Sequence, residues 1–168
     1  MGLFNRSLKS LFVLRYKKID YFSQYPEKQQ ETVLKDLLHA SRKTEWGILY
    51  DYKHLSNSTQ FSEKVPLNDY ETLKGWIERM IAGEKNILWP GSVKWFAKSS
   101  GTTNDKSKFI PVSDESLYRC HYKAATDVFA LYVKNNPDTN ILSGKNLTIG
   151  GSQRVSSLSK KTRTGDLS

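Results

Sequence analysis

The stretch NDYETLKGWIERMIAGEKN, residues 68–86, commits the chain to a helix with both ends marked. Asn68 or Asp69 offers a side-chain oxygen to the first backbone amides, which have no partner inside the helix. Tyr70, Leu73, Ile77, Met80 and Ile81 recur at helical spacing and form one apolar stripe. Gly83 stands just past the end, where a helix closes through a left-handed residue. A helix with one apolar stripe has to bury it against a second layer. The next residues supply one: Pro90–Gly91 marks a turn, and Val93, Trp95 and Ala97 then alternate with Lys94 and Lys98 in the pattern of a short strand.

That strand runs into SSGTTNDKS, where six of the nine residues from Ser99 to Ser107 are Ser, Thr or Gly. Beyond it KFIPVS reads as extended, because Pro111 disfavours helix in the residue before it. Ser113 then caps a long helix over residues 114–135, with Leu117, Cys120, Ala124, Val128 and Leu131 predicted on its inner side. KNLTIGGS reads as a strand leading into a Gly-Gly turn, and SSLSKKTRTGDLS is polar with little pattern. Upstream, residues 3–21 carry Leu3, Phe4, Leu8, Leu11, Phe12 and Leu14 at the spacing of an amphipathic helix with a basic opposite face, expected to pack on the body of its own protein. Pro26 opens a second helix with Val33, Leu34, Leu37 and Leu38 on one face, while TEWGILYDYKHLSNSTQF reads as turn and irregular structure. The order of elements is that of an α/β chain, helix-rich at its start with a few strands after. So few strands leave open sheet edges, and Gly165–Asp166–Leu167–Ser168 reads as the start of a further element. Both features lead us to expect part of a larger domain.

Composition narrows the classes. With 168 residues, 38% apolar and 26% charged, the chain has room for one domain with a core. No apolar run approaches the length of a membrane span. The first residues lack an uninterrupted apolar segment and a cleavage site, and Arg6 stands where a myristoylation motif needs Ser or Thr. Cys120 is the one cysteine, so no disulfide framework or cysteine metal cluster exists, and the cytoplasm is the expected compartment. His39, His54 and His121 show no ligand spacing. The formal charge of +9 points to an anionic partner, yet it is spread, with no run of five or more, which argues against nucleic acid.

Phosphate oxygens need donors that approach closely. Glycine lets backbone amides face an anion, Ser and Thr hydroxyls add short donors, and lysine adds charge. Ser99, Ser100, Gly101, Thr102, Thr103 and Lys108 have this chemistry. An ordinary solvent loop has the same composition. The stretch is neither G-x-x-x-x-G-K-[ST] nor G-x-G-x-x-G, since Gly101 has no second glycine at the required spacing.

The order of motifs around the loop separates the two readings. SSGTT followed by a further lysine resembles the Ser/Thr-rich phosphate loop of adenylate-forming enzymes. The run VPLNDYETLKGWIERMIAGEKNILWPGSVKWFAKSSGTT, with TEWG before it and LTIGGS and GDLS after it, resembles the auxin-responsive Gretchen-Hagen family, the acyl acid amido synthetases. The resemblance extends over residues 44–168. It implies an incomplete N-terminal portion of the large domain of an adenylate-forming enzyme. It divides the chain into an N-terminal helical segment, 1–43, and a partial adenylate-forming domain, 44–168. The implied activity uses ATP with Mg²⁺ to activate a carboxylic acid as an acyl-adenylate, from which an amino acid or other amine displaces AMP.

By position, Ser99, Ser100, Thr102 and Thr103 would donate to the β- and γ-phosphates, Gly101 would permit close approach and Lys108 would pair with phosphate. No catalytic residue and no metal ligand is assigned. The chain differs from the family pattern at Asp105, where many members have glycine, and at Gln153, where histidine is usual. RVSSLSKKTR also matches poorly. The adenine and ribose contacts, the acyl pocket and a mobile C-terminal domain are implied to lie largely beyond Ser168, so the chain alone is expected to lack full activity. The alternatives are a small basic nucleic-acid-binding module and a structural remnant that binds nothing.

Overall fold

The computed structural model describes residues 3–99, 108–141, 143, 145, 147 and 156–166. The chain falls into two compact units, one of residues 1–29 and 115–149, the other of residues 30–114 and 150–168.

In the first unit α1 (Leu3–Gln24) packs on α7 (Tyr122–Asn135). Phe12 stacks on Phe129 at 6.1 Å between ring centroids. Arg15 grips Asp127 with both arms of its guanidinium, which raises the arginine's pKa further, chiefly through that side-chain hydrogen bond. Lys9 Nζ donates to Pro137 O at 2.8 Å. The expected self-packing of the first helix is therefore present, but its stripe is not the one read from the sequence. Phe12, Arg15, Tyr16 and Ile19 are partly buried, while Leu11 and Leu14 are exposed. An arginine with a bidentate carboxylate partner can sit at a packed face, which an apolar-only reading misses.

The long helix starts at Asp114 as predicted, with α6 (Asp114–Ser116), but a π turn at Leu117–His121 interrupts it before α7. A π turn breaks the 3.6-residue spacing, so the stripe projected from Leu117 does not continue. Ala130 and Val133 are buried instead, and Cys120, Ala124, Val128 and Leu131 are exposed.

The second unit holds the sheet. Its strands are β1 (Trp95–Lys98), β2 (Phe109–Val112), β3 (Ser156–Ser157) and β4 (Arg163–Asp166), in the order β2-β1-β4-β3. β1 pairs antiparallel with β2 and parallel with β4, and β3 pairs antiparallel with β4. Pro111 lies on β2, an edge strand, where its missing N–H costs no central ladder bond. Central β1 buries adjacent residues, Phe96 and Ala97, as a strand covered on both faces does. Trp95, expected to alternate inward with Val93 and Ala97, is instead 40% exposed.

The predicted capped helix is α5 (Tyr70–Ile81). Asp69 is its N-cap, in a capping box with Thr72, and Gly83 closes it at φ +92°. The Gly83 and Glu84 amides donate back to Met80 O and Arg79 O, so the last carbonyls are satisfied. Its stripe makes the core: Ile77 and Met80 pack with Ile87, Val93 and Phe96, and Tyr70, Leu73 and Ile81 flank them.

The segment predicted as irregular holds α3 (Glu45–Leu49), a 3₁₀ turn (Tyr52–His54) and α4 (Ser58–Lys64). Local caps start both helices: Thr44 Oγ1 accepts from Gly47 N, and Asn57 Oδ1 from Gln60 N. Helices this short show too few turns for periodicity to reveal. Each residue of TEWG has a task. Thr44 caps, and Glu45 meets Arg79, which also holds Glu84. Trp46 packs edge-on to Trp76, and a Cβ at Gly47 would collide with Ser41 O. In α2 (Pro26–Ser41), Leu38 and Ser41 are buried and Leu34 partly so. Val33 and Leu37, expected on the same face, are largely exposed.

The KNLTIGGS strand lies mostly outside the described residues; Lys145 and Leu147 are in no regular element. The tail read as poorly patterned forms β3 and β4. Among the described residues no helix is long and apolar enough to cross a membrane.

Candidate functional site

The Ser/Thr-rich stretch is the connection of the β1–β2 hairpin. Lys98 is the register partner of Phe109, and one step further Ser99 N donates to Lys108 O at 3.0 Å. The loop's two ends are therefore tied together by a backbone bond at its base. Ser99 is half-buried there and Lys108 exposed. Ser100, Gly101, Thr102 and Thr103, the other four expected phosphate-binding residues, lie outside the described residues, as does Asp105.

Helix α5 supports this base. Tyr70, its first residue, accepts a hydrogen bond on its hydroxyl from Phe109 N at 3.0 Å. The Lys108 ammonium lies 5.4 Å from the centroid of the same ring, a cation–π distance. The cap that starts α5 thus also fixes the tyrosine that holds β2 and Lys108. Asp69 accepts from the Thr72 side chain and from Thr72 N at 2.8 Å, and these bonds hold its carboxyl below the usual range. Sequence reading placed Tyr70 in the core stripe and missed this second task. The available signal was its position directly after the cap, on the helix that precedes the hairpin.

The loop leaves the C-terminal end of β1, and the parallel β4 ends beside it, with Lys98 opposite Asp166. In sheets with parallel strands, ligands gather outside the carboxyl ends of those strands. Exposed Lys98 and Lys108 flank the loop in sequence, so the base offers cations to an anion. Among the described residues no group of three or more His, Cys, Asp or Glu could hold a metal ion.

Residues 15–166 match the family model described as the GH3 family N-terminal domain. The chain belongs to the GH3 family. Indole-3-acetic acid-amido synthetase GH3.2 of Arabidopsis thaliana is 32% identical to this GH3 chain over 120 residues, covering 70% of the chain and 22% of that protein. Jasmonoyl–L-amino acid synthetase JAR6 of Nicotiana attenuata is 32% identical over 91 residues, covering 54% of the chain and 16% of that protein. A solved GH3.15 acyl acid amido synthetase shares the fold with a TM-score of 0.77 at 21% identity, over 94% of this chain and 27% of that one. The similarity to amido synthetases read from the motifs is thus established at the level of the GH3 family. The chain spans about a fifth of the length of the curated relatives it matches.

Proposed function

We propose that this chain provides the phosphate-holding part of an ATP-dependent acyl acid amido synthetase. In that reaction a carboxylate oxygen attacks the α-phosphorus of ATP and pyrophosphate leaves. The nitrogen of an amino acid or other amine then attacks the acyl carbon and expels AMP, giving an amide. Negative charge grows on the departing pyrophosphate, so donors fixed beforehand at the β- and γ-phosphates favour the transition state over the ground state. Ser99, Ser100, Thr102 and Thr103 are the donors, Gly101 allows the backbone close, and Lys108 supplies charge. The acid, the amine and the adenine are left to other parts of such an enzyme.

The observation that carries this reading is the strapped hairpin loop at the carboxyl end of β1, beside the end of parallel β4. Its test is the affinity of the chain for Mg·ATP and for AMP, measured by calorimetry. In Ser100→Ala/Lys108→Ala the ATP affinity falls by roughly tenfold or more, as loss of charge-assisted bonds requires, with AMP unchanged. Equal ATP affinity in variant and parent would overturn the assignment. With ATP, a panel of acids and an amine, the chain alone is expected to release no pyrophosphate above background. Turnover abolished by Ser100→Ala would contradict that expectation.

A further inference from the structure

The opposite end of β1 has a different character. An open cleft of about 530 Å³ lies between Lys94–Trp95 and the β3–β4 hairpin, where Lys160, Lys161 and Arg163 join Lys94 in lining it. None of its lining residues is acidic, and among the described residues none of the four cations makes an ion pair. An extended strand rises about 3.3 Å per residue, so Lys94 and Ser99 stand roughly 16 Å apart along β1. The cleft is thus separate from the base of the Ser/Thr loop.

The hairpin that carries three of these cations is fastened. Thr162, 2% exposed, donates through Oγ1 to Ile81 O at 2.8 Å, at the end of α5. Ser159 Oγ therefore donates to Thr162 Oγ1, at 2.8 Å, and accepts from Lys161 N. Ser157 Oγ donates to Ser159 O, and Arg163 N donates to Lys94 O at 2.8 Å. The hydroxyl protons of Ser157, Ser159 and Thr162, the Ser and Thr residues that line the cleft, are each donated to a protein oxygen, so what these residues leave for the cleft is charge. The stem of Lys161 lies over Gly83, where a Cβ would come within 2.6 Å of Lys161 Cδ. That position near the carbonyl end of α5 gives Lys161 a structural reason of its own. It gives none to Lys94, Lys160 or Arg163. Like charges gathered in one concave site repel, and a multivalent anion relieves them.

We propose that this cleft binds a small anion with two or more phosphate charges, of the pyrophosphate or nucleoside diphosphate class. The cleft has the volume of a small-molecule site rather than of a groove for a polymer. Arg163 and three lysines answer a multiply charged phosphate group. Trp95, 40% exposed beside them, offers an aromatic face to a base where one is attached.

The test uses the ¹⁵N-labelled full chain carrying Ser100→Ala/Lys108→Ala, which silences the proposed ATP loop, titrated with sodium pyrophosphate and with ADP. Amides of Lys94 and residues 157–163 should shift and saturate, with affinity falling as salt rises. Adding Lys160→Glu/Lys161→Glu should weaken binding by roughly tenfold or more. Lys94→Gln, on a different element, should weaken it less, and Lys160→Arg/Lys161→Arg should retain it. Tighter ADP than pyrophosphate assigns a nucleotide, and equal affinity assigns the free anion; either supports the proposal. No saturable shift at millimolar pyrophosphate, or shifts produced only by an oligonucleotide, would overturn it. This outcome is independent of the ATP reading, because that loop is disabled throughout.

Discussion

The two ends of β1 were built by opposite routes. The C-terminal end is local: strand, Ser/Thr-rich loop and strand follow one another within Trp95–Val112, closed by Ser99 and Lys108. The N-terminal end is assembled from Lys94 and a hairpin more than sixty residues later, brought together by parallel β1–β4 pairing. Both rest on one core under Phe96 and on one helix. The start of α5 holds the loop end through Tyr70, and its finish holds the cleft end through Ile81 and Gly83. The two proposed anion sites therefore lie at the two ends of one strand, one visible as a motif and the other only as an assembly.

Breaking what the two ends share should abolish both. Phe96 is 1% exposed at the centre of the core, and Phe96→Ala should cost about 3–5 kcal/mol in denaturant unfolding. ATP and pyrophosphate binding should be lost together. Retention of either with the core weakened would show that the ends do not depend on one sheet.

Gly83→Ala should separate them. Gly83 sits at φ +92° under Lys161, so the variant places a Cβ in a left-handed residue and pushes on the hairpin. The conformational cost is about 1–2 kcal/mol. Pyrophosphate-dependent amide shifts at residues 157–163 should weaken, while ATP-dependent shifts at Ser99, Lys108 and Phe109, compared under folded conditions, stay. The converse variant is Tyr70→Phe, which removes the acceptor for Phe109 N but keeps the ring beside Lys108. It should cost about 0.5–1.5 kcal/mol and weaken the ATP-dependent shifts at Ser99, Lys108 and Phe109 but not the pyrophosphate-dependent shifts at residues 157–163.

These contrasts explain what the sequence could disclose. Helix α5 was legible because its cap, stripe and closing glycine all lie within one stretch, and tertiary packing agrees with each. The hairpin was legible for the same reason. β4 was not: Arg163, Thr164, Gly165 and Asp166 carry no apolar alternation and become a strand by pairing with β1. The cleft was invisible with it, since Lys160–Lys161 reads as a solvated pair until Lys94 is beside it. The inner face of α7 was hidden by a π turn, and α3 by having only five residues. The candidate site is a list of residue types in the sequence, of which Ser99 and Lys108 are described; the contacts of Tyr70 with Phe109 and Lys108 at its base appear only in the fold.

The smallest expected effect is that of pH. Asp69 is held low by Thr72, and Glu45 is held low by Arg79. A carboxyl depressed in the folded state stabilises above its unfolded pKa and loses that contribution as pH falls through its folded value. Stability from these two groups is therefore complete above about pH 4.5 and declines below it. Asp69→Asn keeps a cap oxygen without the titration, so its unfolding profile should be flatter below that pH. An unchanged acid slope would show that Asp69 is not linked to folding.

The central claim is that the hairpin loop end of β1 holds the phosphates of ATP. Its most direct measurement is the amide spectrum of the ¹⁵N-labelled chain bearing Lys160→Gln/Lys161→Gln, which quiets the cleft, titrated with Mg·ATP and then with AMP. The account predicts saturable shifts at Ser99, Lys108 and Phe109 with ATP and none with AMP. No ATP-dependent shift at these three amides, or equal shifts with AMP, would contradict it.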